Sequence, residues 1–512
     1  MMNITTKMVG PNRWLLLTLG LALTRGMIYA SSLPPWGLND EQQHFHYIQS
    51  VCETGSIPTV GKDYISAEIA ISSYQTKRHE VFHWPPYPSI YPQDWGLEGH
   101  SYEGYQPPLY YLALAPLYIG ASLISSDILV KLQILKWSNV VLSLTTLCLL
   151  YYVAMLLFPQ RRFVPFLLCS LLVWWPERIM ATSRVNNDVL TEVLGAALYV
   201  LLVKSALRES ISKRDSLLIG MVFGLGLLTK WTFLPWIFGI LYVFWLHRKA
   251  GFSGLLLAIG ISLVMVMPYA LRNFLIYGDP TGFSSFQQLA GPVSAPERTL
   301  VGFVRAVVEF LMYLWVVWWK GATAGGNPLT RSAFYAYFIL FYSLIGFGLS
   351  RFLKRYKQIE RSTKVLFGLN FVTVGAFFLS IMSSYYAGRI PILQGRFMLP
   401  AALPLFVLLT SSLLQFRQGG KILALFSLSL GAIDIAQLFV NLLPYFYYWS
   451  AFVGKAVTPP GDIFDGWCLF IVRFLADKPG GLQWLIIGLI IVYISLSVRW
   501  VCELKKGWHA WN

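Results

Sequence analysis

Two stretches of this sequence bring carboxylates together with partners that could make them reactive. The first is Asn39-Asp40-Glu41-Gln42-Gln43-His44-Phe45-His46-Tyr47, directly after an apolar run that ends near residue 33. If a helix begins here, Asp40 suits its N-terminus. Asp40 and His44 then stand at i and i+4, and Glu41 and His44 at i and i+3, so the three side chains neighbour one another. Two readings stay open: an acidic cap on an exposed helix start, or a carboxylate at a membrane surface serving as general base or metal ligand. The second stretch, Arg184-Val185-Asn186-Asn187-Asp188, poses the same choice. Asp188 could cap the apolar run that follows, or it could be a further acid beside Arg184, a residue type that suits phosphate. A divalent ion, if one is used, would draw on Asp40, Glu41 and Asp188.

Three more cations stand at the ends of apolar runs: Lys230 in Leu228-Thr229-Lys230, Arg272 in Leu271-Arg272-Asn273, and Arg396 in Gln394-Gly395-Arg396-Phe397. Long basic side chains at span ends often only reach back to the interface. The segment Tyr105-Gln106-Pro107-Pro108-Leu109-Tyr110-Tyr111 opens another apolar stretch with paired prolines, which fits a helix start, and its aromatics suit an interface.

The elements that position these residues are membrane spans. Of 512 residues, 56% are hydrophobic and 12% charged, about half the charged content of a water-soluble chain. Apolar runs near span length predict an all-α polytopic membrane protein with about twelve transmembrane helices. They fall near 14–33, 137–158, 163–182, 188–205, 216–230, 232–246, 253–271, 332–350, 363–382, 398–416, 422–443 and 482–500. The first is read as a retained span, since no clear cleavage site follows it. The five cysteines show no metal-binding spacing, and a disulfide framework is not expected.

Lysine and arginine cluster at Arg161-Arg162, at Lys204 to Arg214, at Arg248-Lys249, from Arg351 to Lys364, at Arg417/Lys421 and at Lys505-Lys506, where only Glu209, Asp215, Glu360 and Glu503 accompany them. Placing these loops in the cytoplasm makes every span alternate and both termini cytoplasmic. The net charge of +16 is therefore a topology signal, and no nucleic-acid partner is expected. This parity requires Leu109–Ile124 and Phe303–Trp319 to lie at the outer interface or re-enter. One transmembrane domain over 1–512 results, with outer loops at 34–136, 272–331 and 444–481. Lys230, Arg272 and Arg396 then lie on the face that positive charge avoids, where an anionic ligand such as a lipid phosphate accounts for them better than anchoring does.

The acidic pair Asp40-Glu41 with His44, Gln106-Pro107-Pro108-Leu109, Asp188 after the third span, and Gly226-Leu227-Leu228-Thr229-Lys230 together resemble the GT-C superfamily of membrane glycosyltransferases. The likeness covers most of the chain and is strongest over 1–280. Within it, the sequence looks like the bacterial branch related to protein O-mannosyltransferases and aminoarabinose transferases (glycosyltransferase family 39-related). The stretch Gln394-Gly395-Arg396-Phe397-Met398-Leu399-Pro400 also resembles the GRYLLP-like motif of a group of bacterial membrane proteins. The resemblance implies a GT-C fold, an outward-facing site, a polyprenyl-phosphate-sugar donor, inversion at the anomeric carbon and Asp40 as base. Tyr105 and Gln106 join the substrate-binding set on this ground. Gln106 stands where many relatives carry a charged residue before the prolines, so their donor contact is not carried over to it.

The expected function is inverting transfer of a sugar from the polyprenyl-phosphate donor to an envelope glycan, lipid or protein. The expected setting is the periplasmic or extracellular side of a bacterial plasma membrane. Asp40, Glu41 and Asp188 form the catalytic set, with His44, Arg184, Lys230, Arg272 and Arg396 binding substrate and a divalent metal left open. Two rivals remain, a transporter or flippase of lipid-linked sugars and a non-catalytic membrane scaffold. A transporter would need ionisable groups at mid-span, where Arg25 and Asp434 are the clear candidates, and no internal repeat of the kind that builds many transporters is evident.

Overall fold

A helix must run about 20 residues to cross a bilayer, and the chain is cut into apolar helices around that length. In the computed structural model of the protein, the described residues are 13–37, 40–76, 78, 86–291, 296–315, 328–390, 393–436 and 482–509. Among them the architecture is helical, apart from one isolated bridge between Tyr64 and His100. Each of the twelve expected spans coincides with helix, but eight are long and apolar enough to cross a membrane. A ninth forms if Val164–Val173 and Pro176–Thr182, bent by 63° at their junction, are taken as one span. Lys213–Leu227 and Trp236–Leu246 have 15 and 11 residues, shorter than the expected spans because Thr229-Lys230 and Pro235 interrupt them.

Leu109–Ile124 has 16 residues and Leu300–Tyr313 has 14. At about 1.5 Å per residue, neither spans a hydrocarbon core about 30 Å thick. Arg305 and Glu309 pair at 3.2 Å on the exposed face of the second. The end of that expected segment, 316–319, and the third outer loop, 444–481, lie outside the described residues.

The bent pair is the centre of the bundle, with almost every side chain from Val164 to Thr182 buried. Pro176 lacks an N–H and so opens the second half of the bend. The carbonyl of Val173, left open by the break, accepts from Arg25, which also grips Asp434 through two guanidinium nitrogens. Both side chains are buried, and Tyr29 donates to the same carboxylate at 2.8 Å. The two mid-span ionisable groups thus neutralise each other where the polypeptide bends.

Charge and chain direction separate the two ends of the bundle. At one end the Trp14 indole donates to Glu503 at 2.9 Å, so the start of the first helix meets the close of the last. His247 there bonds the carbonyls of Ser205 and Glu209, joining two of the basic loops. The chain leaves Ser32, Leu227 and Tyr277 at the other end, where Asp188 and Gly395 begin their helices. That is the alternation the basic loops require.

Ser56 and Ser210 are exposed at opposite ends. With a membrane-impermeant thiol reagent applied from outside, Ser56→Cys is expected to label and Ser210→Cys to stay unlabelled in intact cells; the reverse pattern overturns the orientation.

Candidate active site

Asp40 precedes the helix Glu41–Glu53 but does not cap it. Its backbone is left-handed (φ 65°), and its side chain makes no hydrogen bond to the helix's first turn. Aspartate tolerates this region better than most residues. The turn frees the carboxylate to meet residues far away in sequence. One oxygen accepts from the Tyr102 hydroxyl at 2.8 Å, and the other lies 3.3 Å from the Arg396 guanidinium. The helix start is packed inside the protein, with Glu41, Gln42, Gln43 and His44 all buried, so the exposed-cap reading does not hold.

Asp188 is the first residue of its helix, and Asn187 stands at the cap position. Its carboxylate reaches Lys230 at 2.5 Å, Arg396 at 3.7 Å and Arg184 at 3.8 Å. Arg396 therefore bridges the two acids. Two glycines permit this approach. A Cβ on Gly195 would lie 2.1 Å from the Pro400 carbonyl oxygen, and one on Gly395 would lie 2.3 Å from that of Tyr313. The helix Asp188–Ala206 can consequently press against the turn Gly395–Ala401 that carries Arg396. Lys230 is placed by a related economy. Pro107 and Pro108 have no N–H, so the first one offered is that of Leu109, which donates at 2.9 Å to Leu228, next to Thr229-Lys230.

The remaining expected residues divide. His44 shares a hydrogen bond of 2.8 Å with Tyr111. Burial, with Lys230 and Arg184 acting in the same direction, lowers its pKa to about 3 and keeps the imidazole neutral. The Gln106 side chain donates to the Tyr105 hydroxyl at 3.0 Å and lies 3.4 Å from Asn187, while its carbonyl accepts from Tyr269 at 2.6 Å. Tyr105 packs on Phe283 and Phe286. Glu41 turns elsewhere: one oxygen accepts from the Val185 N–H at 3.1 Å, and the other meets Lys136 at 3.3 Å. Arg272 holds the carbonyls of Ile57 and Pro58 and the side chain of Asn273, so its hydrogen bonds build the outer loop and do not reach Asp40 or Asp188.

Two residues not anticipated in the sequence belong here, Tyr102 and Glu103. They sit on the short turn Tyr102–Tyr105, whose aperiodic Tyr-Glu-Gly-Tyr carries no motif. Burial drives the Glu103 carboxyl up to about 8, the Asp40 carboxylate pushes the same way, and Lys230 and Arg396 pull against them. Burial also raises Asp40, but Arg396 leads a set of opposing interactions that leaves it below its ordinary value. Near neutral pH the site thus holds two carboxylates, Asp40 and Asp188, among three cations, Arg184, Lys230 and Arg396. It carries an excess of one positive charge.

The arrangement does not suit a divalent metal. Among the described residues no three His, Cys, Asp or Glu side chains gather where they could hold one. Asp40 and Asp188 face cations, and Glu41 is committed to Lys136.

No protein-family model matches the sequence, and no curated protein matches it. Solved structures do. ArnT from Cupriavidus metallidurans, bound to undecaprenyl phosphate, aligns with a TM-score of 0.51 and 12% identity over 96% of this chain and 78% of that one. The archaeal oligosaccharyltransferase AglB from Archaeoglobus fulgidus, in complex with an inhibitory peptide and a dolichol-phosphate, aligns at 0.44 and 13% over 92% of this chain and 59% of that one.

Breaking one side of a buried ion pair costs about 3–5 kcal/mol, whereas replacing both sides is far milder. Glu41→Gln is therefore expected to lower thermal stability by that order, and Glu41→Gln with Lys136→Met to recover most of it. A Glu41→Gln protein that melts like the wild type would show that the pair is not structural. By its architecture and its likeness to ArnT, the chain is a polytopic membrane protein with the GT-C fold.

Proposed function

We propose that the protein is an inverting glycosyltransferase that moves a sugar from a polyprenyl-phosphate carrier to a hydroxyl acceptor on the outer face of the membrane. The observation that carries this reading is the ionised, non-capping Asp40 beside a cluster with one positive charge in excess. The carboxylate supplies a base, and the excess charge suits a phosphate. Undecaprenyl phosphate, the ligand in the ArnT structure, has the chemistry such a site would take. Activated sugars linked to nucleotides are cytoplasmic, so a transferase facing outward needs a donor carried across by lipid.

In this mechanism Asp40 removes the acceptor hydroxyl's proton as its oxygen bonds to the anomeric carbon. The bond from that carbon to the phosphate oxygen breaks, and the phosphate leaves with the electron pair. Lys230, Arg396 and Arg184 stand ready for the negative charge that develops. A carboxylate tied to a guanidinium is a weak base. A bound phosphate competes for Arg396, and loosening that contact raises the basicity of Asp40 when a donor is present. Neutral His44 with Tyr111 lines the acceptor side. No step requires Arg272 or a metal, and Glu41 acts through the scaffold. The transporter reading loses its mid-span groups, because Arg25 and Asp434 are bound to one another.

The test is transfer from a polyprenyl-phosphate-sugar by purified protein. Loss of a general base typically costs about a hundred- to ten-thousand-fold in rate, so Asp40→Asn should be nearly inactive while remaining folded. Folded protein keeping more than about a tenth of wild-type turnover would remove Asp40 from that role. Lys230→Ala loses a charge-assisted contact worth on the order of 1.5–3 kcal/mol, and at least about a tenfold fall in donor use is expected. Normal donor use in this variant would return Lys230 to a purely structural part.

A further inference from the structure

Glu103 is the one buried carboxyl of the site that the mechanism leaves unused. It is 7% exposed, and its Oε2 is buried without a hydrogen-bond partner. An unmade hydrogen bond at such an atom is costly, and a group of this kind persists where a ligand completes it. Its backbone is fixed, because its carbonyl accepts from the Gln106 N–H at 2.8 Å, and Gly104, next in sequence, packs so closely that a Cβ would lie 2.3 Å from the Pro58 carbonyl oxygen. The preceding residue, Tyr102, holds Asp40. The charged groups facing Glu103 are Asp40, Asp188, Lys230 and Arg396, and the hydroxyls of Tyr102, Tyr105 and Tyr111 also feel it. Both cations are already engaged by Asp40 and Asp188, so neither is committed to Glu103 as a salt-bridge partner.

We propose that the Glu103 carboxyl donates a hydrogen bond to the phosphate of the lipid substrate, and that binding of this anion holds a proton on Glu103. A buried carboxyl without a cation of its own is retained in the neutral form, and a neutral carboxyl is a donor. It can approach a phosphate oxygen without repulsion. Once ionised, it offers only lone pairs and a negative charge, and it repels the same ligand. The inference takes from the proposed function only that the ligand is a lipid phosphate; it does not need Asp40 to be the base.

The sign follows from linkage. An anion raises the carboxyl's affinity for its proton, so binding takes up a proton where free Glu103 is partly ionised, near pH 8. Affinity must then fall as the pH rises through that value, by about tenfold between pH 7 and pH 9 if only the neutral form binds. The second ionisation of a phosphate monoester lies near pH 6, below this window.

Undecaprenyl phosphate binding to the purified full-length protein, followed by calorimetry in buffers of different ionisation enthalpy, reads both quantities. The wild type is expected to take up a proton at pH 8 and to bind about tenfold more weakly at pH 9 than at pH 7. Glu103→Gln is nearly isosteric and is expected to bind at both pH values with no proton uptake and little change in affinity. Equal proton uptake in both proteins, or none in the wild type, overturns the proposal while leaving the lipid-phosphate site in place. A wild type that binds no undecaprenyl phosphate at any pH overturns the proposed function along with it. The wild-type measurement decides the matter by itself if Glu103→Gln does not fold.

Discussion

The guanidinium of Arg396 lies between two carboxylates, 3.3 Å from Asp40 and 3.7 Å from Asp188. The acids come from different parts of the chain, one after the first helix and one at the head of the helix Asp188–Ala206. Neither would persist ionised at this depth of burial without a cation beside it. The close packing at Gly195 and Gly395, the proline-started contact of Leu109 with Leu228, and the left-handed turn at Asp40 all serve to bring charges within reach of that guanidinium. Removing it would leave Asp40 with a tyrosine hydroxyl and Asp188 with Lys230 and a more distant Arg184.

Elsewhere buried charges occur in matched pairs. Arg25 with Asp434, Lys136 with Glu41, and Arg178 with Glu192 each set one cation against one acid. Such pairs neutralise themselves and have no charge to offer a ligand. Their places suit structural work: Arg25 also binds the carbonyl exposed at the 63° bend, and Arg178 also binds the Ser143 carbonyl at 2.7 Å. Only at the end of the bundle opposite the basic loops do three cations surround two carboxylates among the described residues, with a neutral Glu103 nearby. Charge imbalance in a buried place is expensive, and an anionic ligand offsets it. The contrast between closed pairs and this open cluster separates scaffold from site more sharply than burial or residue type.

Much of this was legible in the sequence. Apolar runs placed helix at each expected span, and the lysine and arginine loops gave the alternation that brings Asp40, Asp188, Lys230 and Arg396 to one end. What the sequence could not supply was direction. Glu41 follows Asp40 in the chain, yet one step around the helix turns it onto Lys136. Arg272 occupies the same kind of span end as Lys230, but the nearby carbonyls of Ile57 and Pro58 claim it. Asp40 looked like a cap because residue type and position fitted one; its positive φ, which no sequence pattern announced, moves the side chain away. Tyr102 and Glu103 escaped notice because a four-residue turn has no periodicity to read. The span count fell short of twelve because apolar content does not reveal how soon Thr229-Lys230 or Pro235 ends a helix.

The account's centre is that Arg396 exchanges a carboxylate for a phosphate when the lipid binds. A cryo-electron microscopy structure of the protein with undecaprenyl phosphate tests this most directly. The account predicts the phosphate among Lys230, Arg396 and Arg184, within charge-assisted hydrogen-bond distance of about 2.7–2.9 Å of at least one of them, and Arg396 drawn away from Asp40. A phosphate seated on Arg272 or elsewhere, with the Arg396 bridge between Asp40 and Asp188 intact, would contradict it.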